Sequence, residues 1–268
     1  MGLADVHAHL TSSRFEGEVH NVLQRAQEAG VSTIISNGLN IADNKKVLAL
    51  AKTNGLVKPA LGFYPVDAVL PEMLEAGVDY PRDDADLVSA KETINWLGEH
   101  LDEAIAIGEI GLDHHWVPPE FWKAQEDVFR ALVGLAMDAN LPIIIHTRKA
   151  EARALEILLE MGAPKVNWHC FSSRLKLGRR IAEAGHFLSI PANARRHETF
   201  SGLLRGAPRE QLLLETDCPY LAPTPGTTNE PANIVGTCQY AAELWGESTE
   251  NVASQLEENF ERLFACVP

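Results

Sequence analysis

Leu3-Ala4-Asp5-Val6-His7-Ala8-His9 opens the chain as an alternating stretch, and its reading decides what the later strands can be. In extended backbone, side chains change face with a period of two, so Asp5, His7 and His9 are expected to point the same way. Two imidazoles one pleat apart can grip one metal ion, and a carboxylate behind them can fix a ring tautomer. An amphipathic edge strand could carry the same residues. What separates the two readings is whether other strands also end in ligands.

Short apolar runs rich in β-branched residues alternate with helical patterns along the whole chain. After the first strand, a helix is expected from about Glu16 to Ala29, then a strand at Val31–Ser36, a helix at Ala42–Lys52 and a strand at Val57–Phe63. Two helices separated by a loop at Asp79–Asp84 fill residues 67–102. Further strands are expected at Ala104–Glu109, Pro142–His146, Lys165–His169, His186–Ile190 and Gln211–Asp217. Helices near Pro119–Asn140 and up to Met161 fall between them, and helices at Ile234–Trp245 and Thr249–Phe264 close the chain. Eight strands separated by helices argue for parallel βαβ units. At 268 residues the economical closure is a single (β/α)8 TIM barrel over residues 1–268, with an open doubly wound sheet as the alternative.

Composition narrows the function classes. Charged residues make up 22% and hydrophobic ones 46%, as in an ordinary globular protein able to bury a core without disulfides. The four cysteines form no CxxC pair, which argues against a zinc ribbon and suits a reducing cytoplasm. No apolar run approaches the ~18 residues of a membrane span, so a cytoplasmic protein without a membrane partner is expected. The net charge of -14 disfavours a protein that coats duplex nucleic acid. That charge is uneven: residues 66–127 hold 16 Asp/Glu against 3 Lys/Arg, whereas residues 146–196 hold 10 Lys/Arg against 4 Asp/Glu.

Polar residues sit where the apolar strands stop. His7 and His9 end the first strand, Glu109 the fourth, His146 the fifth, His169 the sixth and Asp217 the eighth. In a barrel these ends converge on the face that carries the active site. Six buried polar groups without partners would be costly, and all six are metal-ligand types. Four imidazoles and two carboxylates exceed the ligand set of one catalytic zinc and suggest two divalent ions, with Glu109 the candidate bridge. Such a centre lowers the pKa of a bound water, and Asp217 could both ligate and accept the nucleophile's proton. Zinc is favoured by the histidines; magnesium or manganese is common in phosphoryl chemistry. Glu215 shares the Asp217 face one layer deeper, where a buried carboxylate needs a partner.

Five stretches carry a resemblance. Asp5-Val6-His7-Ala8-His9, Gly108-Glu109-Ile110-Gly111-Leu112-Asp113, Ile145-His146-Thr147-Arg148, His169-Cys170-Phe171-Ser172 and Glu215-Thr216-Asp217-Cys218-Pro219-Tyr220 resemble, in order, the motifs of the TatD family of metal-dependent hydrolases and deoxyribonucleases. The resemblance implies an amidohydrolase-like barrel. It also implies one ion on His7, His9, Glu109 and Asp217, another on Glu109, His146 and His169, and phosphodiester hydrolysis from DNA ends. Three positions depart from the family pattern: Tyr64 stands where a histidine is common, Ser173 where a glycine is common, and residues 226–231 lack positive charge. Tyr64 can still hydrogen-bond phosphate. Arg148 can fork onto phosphate, and His115 matches a position at the rim of the site. Arg148, Lys149, Arg174, Lys176, Arg195 and Arg196 follow three of the strands and are expected to form a positive arc. A small lactone, cyclic amide or phosphoester is the alternative substrate on the same metals; a non-catalytic binding module would not need six convergent ligands. The sequence carries no signal for oligomeric state.

Overall fold

The computed structural model describes residues 2–81 and 87–264. The chain runs β1 (Leu3–Ala8), α1 (Val19–Glu28), β2 (Val31–Asn37), α2 (Ile41–Thr53), β3 (Val57–Leu61), α3 (Leu70–Glu75) and α4 (Ala90–Glu99). It continues with β4 (Ala106–Asp113), α5 (Trp122–Asp138), β5 (Ile143–Arg148), α6 (Glu151–Met161), β6 (Val166–Trp168) and α7 (Leu175–Glu183). Last come β7 (Phe187–Ile190), α8 (Glu198–Gly206), β8 (Leu212–Leu214), α9 (Ile234–Trp245) and α10 (Thr249–Phe264). Of the loop expected at Asp79–Asp84, residues 82–84 lie outside the described residues. No helix among the described residues is long and apolar enough to cross a membrane.

The eight strands are parallel and pair in chain order. The chain just past β8 closes the ring: Cys218 bridges Ala8, the Asp217 N–H donates to the His7 carbonyl at 2.9 Å, and the His9 N–H donates to the Cys218 carbonyl at 2.8 Å. This is a (β/α)8 barrel, and the open-sheet alternative is excluded. Inside it, Val6, Ile35, Ala60, Ala106, Ile144 and Leu213 come from strands all round the ring and touch one another, with Leu263 and Phe264 of α10 packed against them. Residues from opposite strands can meet only within the barrel, so α10 plugs one end. Each fully buried Val, Ile or Leu side chain there contributes about 1.5–3 kcal/mol.

Of three register shifts in the sheet, two re-aim the strand ends and correct the sequence reading. From Asp5 to Ala8, β1 advances three residues while β2 advances two, from Ile34 to Ser36. Val6 therefore lies in the interior cluster and Ala8 in the outer one, although simple alternation puts both on one face. In β4, Ile107 to Ile110 spans three residues opposite two in β5, Ile143 to Ile145. β4 does not end at Glu109 as expected; it runs on to Asp113. The extra residue turns Glu109 to the side from which Ala106 points, with Gly111 and Asp113 following at intervals of two. The first helix also starts late, at Val19, after a 3-10 turn at Ser13–Phe15 and a left-handed Gly17 (φ +76°).

Glycine is required where β3 ends. A Cβ on Gly62 would lie 2.1 Å from the Glu109 nitrogen and 2.3 Å from the Gly38 carbonyl oxygen, both backbone atoms. Asn44 of α2 clamps that point, its amide donating to the Gly62 carbonyl at 2.7 Å and accepting from the Gly62 N–H at 2.9 Å. Gly62→Ala is expected to cost at least ~2 kcal/mol in urea denaturation, since packed backbone cannot yield. Gly55→Ala, with open space around it, is the control. Equal losses in the two variants would show that close approach at Gly62 is not what holds the Glu109 segment.

Candidate metal centre

The side chains that end the strands do come together. His7 Nε2 and His9 Nε2 are 3.2 Å apart, at 3.5 Å and 3.4 Å from Glu109 Oε2 and at 3.7 Å and 3.5 Å from Asp217 Oδ1. The other carboxylate oxygen of Glu109, Oε1, faces His146 Nδ1 at 2.8 Å. His7 stacks on His169 with ring centroids 3.6 Å apart. Three groups of donor atoms result, His7/His9/Asp217, Glu109/His146/His169 and, drawing a ring from each, His7/His169/Glu215, each with its atoms within 4.8 Å of one another.

Which nitrogen each ring turns to the cluster is set by what holds its far side. His9 Nδ1 lies 3.2 Å from the Asn37 carbonyl oxygen, His146 Nε2 lies 3.0 Å from Asp113, and His169 Nδ1 lies 3.0 Å from Glu215. All three partners are acceptors, so the far nitrogens carry the protons and the cluster-facing nitrogens present lone pairs. Those lone pairs meet carboxylate oxygens or another lone pair. Acceptors facing acceptors inside a protein need positive charge between them, supplied by extra protons or by a metal ion. The donor set fits a divalent metal: nitrogen and oxygen ligands, outer nitrogens already tied, and burial of 96% and 86% for the Glu109 and Asp217 side chains.

Protons alone perturb the groups strongly. Burial works against charge on His9 and His146, but Asp217 and Glu109 raise the first to about 9, and Asp113 and Glu109 raise the second to about 10. Burial, with His169 beside it, lowers His7. Burial would raise Glu109, yet His146 and His7 outweigh it and hold the carboxyl well below its usual range. Asp217 is likewise lowered, burial being outweighed by His169, His9 and His7.

Several residues sit differently from the sequence reading. Asp5 does not touch a ring. After the β1 shift its carboxylate accepts from the His7 N–H at 3.3 Å, the Thr216 N–H at 2.9 Å and the Thr216 hydroxyl at 2.5 Å. Burial pushes Asp5 up to about 7 against the pull of these donors. It joins β1 to the segment that carries Asp217, while His7 Nδ1 has no hydrogen-bond partner. Glu215 lies behind His169, and its remaining capacity is filled by the Cys170 N–H at 2.8 Å and the Ser189 hydroxyl at 2.6 Å. Tyr64 is half-buried, edge-on to His146 with centroids 5.1 Å apart, and burial followed by Glu109 pushes its phenol well above the usual value. Arg148 and His115 are exposed around Trp116, Arg148 over the ring at 5.8 Å. Arg195 leaves the expected arc, pairing with Glu243 at 2.6 Å.

Sequence reasoning gave no role to Asp113, Asn44 or Gln125. Asp113 is fully buried, pairs with His146 and accepts the His115 and Trp116 N–H groups at 2.9 Å. Its signal was two-residue spacing from Glu109 through Gly111, legible only if β4 continues. Gln125 accepts from the Asp113 N–H at 3.2 Å and donates to the Pro65 carbonyl at 2.8 Å. Two left-handed residues complete the aim: Cys170 (φ +45°), after His169, and Asp217 (φ +56°), a residue type that tolerates this region. Ser173 does not occupy it, so the missing glycine there costs the backbone nothing.

A family model described as TatD related DNase matches residues 4–265. The chain belongs to the TatD family. Among similar TatD proteins, the uncharacterized metal-dependent hydrolase YabD of Bacillus subtilis is 33% identical over 270 residues, covering 98% of each chain. Human deoxyribonuclease TATDN3 is 31% identical over 274 residues, covering 98% of this chain and 95% of that one. The crystal structure of YJJV, a TatD homolog from Escherichia coli, matches with a TM-score of 0.83 at 27% identity, covering 99% of this chain and 98% of that one. Membership makes the chain a metal-dependent hydrolase with a TIM barrel.

The Asp5–Thr216 link generates a test. Thr216→Val keeps the shape but removes a donor from a buried carboxylate, and should lower unfolding free energy by about 1–3 kcal/mol. A loss below ~0.5 kcal/mol in urea titration would show that the link does not brace the barrel closure.

Proposed function

We propose that the centre holds two divalent cations with Glu109 between them and hydrolyses phosphodiester bonds, acting on DNA ends or single strands. The observation that carries this reading is the division of Glu109: Oε2 faces His7 and His9, and Oε1 faces His146. In this reading His7, His9 and Asp217 hold one ion and His146 and His169 the other. Asp113 and Glu215 fix the ring orientations from behind. Bound divalent ions supply Lewis acidity at a phosphoryl oxygen and lower the pKa of water. Asp217, more open than Glu109 at 14% against 4% side-chain exposure, accepts the nucleophile's proton on its carboxylate. Arg148 forks onto phosphate, Tyr64 hydrogen-bonds it, and His115 stands at the rim. Four imidazoles favour zinc, with manganese or magnesium as competitors.

Support for DNA comes from the name of TATDN3, a deoxyribonuclease alike over nearly the whole chain. A net charge of -14 opposes a long duplex lying across the surface and leaves short strands and ends as the accessible polyanions.

Metal analysis and anomalous scattering of zinc- and manganese-loaded protein are expected to find two ions per chain. Removal by chelator should abolish turnover of labelled oligonucleotides, and re-addition should restore it. One ion, or ions away from Glu109, would defeat the two-cation reading; turnover of lactones but no phosphodiester would defeat the substrate.

Asp217→Asn is expected to lower kcat by about 10²-fold or more with metal content measured alongside. Near-wild-type turnover with both ions retained would remove Asp217 from proton transfer.

A further inference from the structure

Two exposed aromatic rings stand beside the centre, each with an arginine over it. Arg14 lies over Tyr220 at 5.0 Å, and Arg148 lies over Trp116 at 5.8 Å. Tyr220 is 48% exposed and Trp116 38%, among the few large aromatic surfaces the protein leaves open. Six other arginines reach a carboxylate. Among the described residues Arg14 and Arg148 pair with none, in a chain whose net charge is -14. Cations beside partly exposed aromatic rings suit bases and phosphates together.

Topology sets the two pairs on opposite sides. Arg14 follows β1 and Tyr220 follows β8, which meet at the barrel's closure. Trp116 follows β4 and Arg148 ends β5, a junction four strands away in a ring of eight. Both rings are tied to the centre. The Tyr220 N–H donates to the Asp217 carbonyl at 2.8 Å, and the Trp116 N–H donates to Asp113, which pairs with His146. A cavity of about 810 Å³ opens beside His9 and is lined by Arg14, Lys46 and Tyr220, together with Glu16 and Asp43. At the opposite pair, Tyr80 and His115 pack on Trp116 in T-shaped arrangements, with centroids 5.4 Å and 4.9 Å away.

We propose that Tyr220/Arg14 and Trp116/Arg148 are two base-stacking platforms, which seat unpaired nucleobases on either side of the phosphodiester held at the centre. This rests on the phosphodiesterase reading for the identity of the central group and adds where the neighbouring bases bind. Bases inside a duplex are stacked on both faces, so the platforms select unstacked nucleotides of single strands and ends, whatever their sequence.

The test compares a fluorescein-labelled short oligothymidylate with a strand of the same length made of abasic residues. Anisotropy gives Kd for each, and hydrolysis is followed in parallel with metal-loaded enzyme. Wild type should prefer the base-bearing strand. Trp116→Leu and Tyr220→Leu should each reduce that preference about fivefold or more, on the scale of one base–aromatic stack. Trp116→Phe and Tyr220→Phe should largely keep it, and thermal melts check that all four variants fold. Unchanged preference in both leucine variants overturns the proposal, as does equal weakening of the two strands, which would mark a purely electrostatic or structural role. A wild type that binds by its rings but cleaves no phosphodiester would refute the hydrolytic reading while leaving the platforms standing.

Discussion

Around Glu109 four imidazoles and the Asp217 carboxylate turn acceptors toward one another in a space nearly closed to water. Such an arrangement is unfavourable unless positive charge sits within it, because neither lone pairs nor carboxylates can donate. The outer contacts of His9, His146 and His169 remove the easy escape, since their far nitrogens already have acceptors. This accounts for the perturbed titration of the residues involved. It also explains why the scaffold around the centre is so constrained. A cluster that repels itself has to be held in place from outside.

The holding is done by backbone as much as by side chains. Register shifts in β1 and β4 turn the clustered histidines and Glu109 inward, at the cost of regular alternation. Gly62 lets β3 approach the Glu109 backbone, and Asn44 fixes that approach from α2. Asp5 links β1 to Thr216, and the chain past β8 bonds back to His7 and His9. A stable barrel could do without any of these features; a barrel that aims six side chains at one point uses all of them.

Charge on the outside complements this interior. Six of the described arginines are engaged with carboxylates, and two of those that are not lie next to the centre over aromatic rings. Membership of the TatD family accounts for the metal dependence and the barrel. The flanking rings belong to loops, where members of a shared scaffold differ in what they grip.

Sequence alone determined the barrel and the polar residue types that gather at the ends of its strands. Period-two apolar runs separated by helical patterns are local signals, and polar residues at the ends of such runs stand out without any tertiary information. The closing helices at Ile234–Trp245 and Thr249–Phe264 were legible to the residue for the same reason, as long amphipathic segments with clear ends. Tertiary structure alone decided the aim. An inserted residue in β1 or β4 changes no composition and no hydrophobic period, yet it reverses which face a side chain takes. Asp5 was therefore expected behind the rings and is found on Thr216, while Asp113 went unassigned and is found on His146. Partners such as Asn44, Gln125 and Ser189 are distant in sequence from what they hold, and only folding brings their hydrogen bonds into reach.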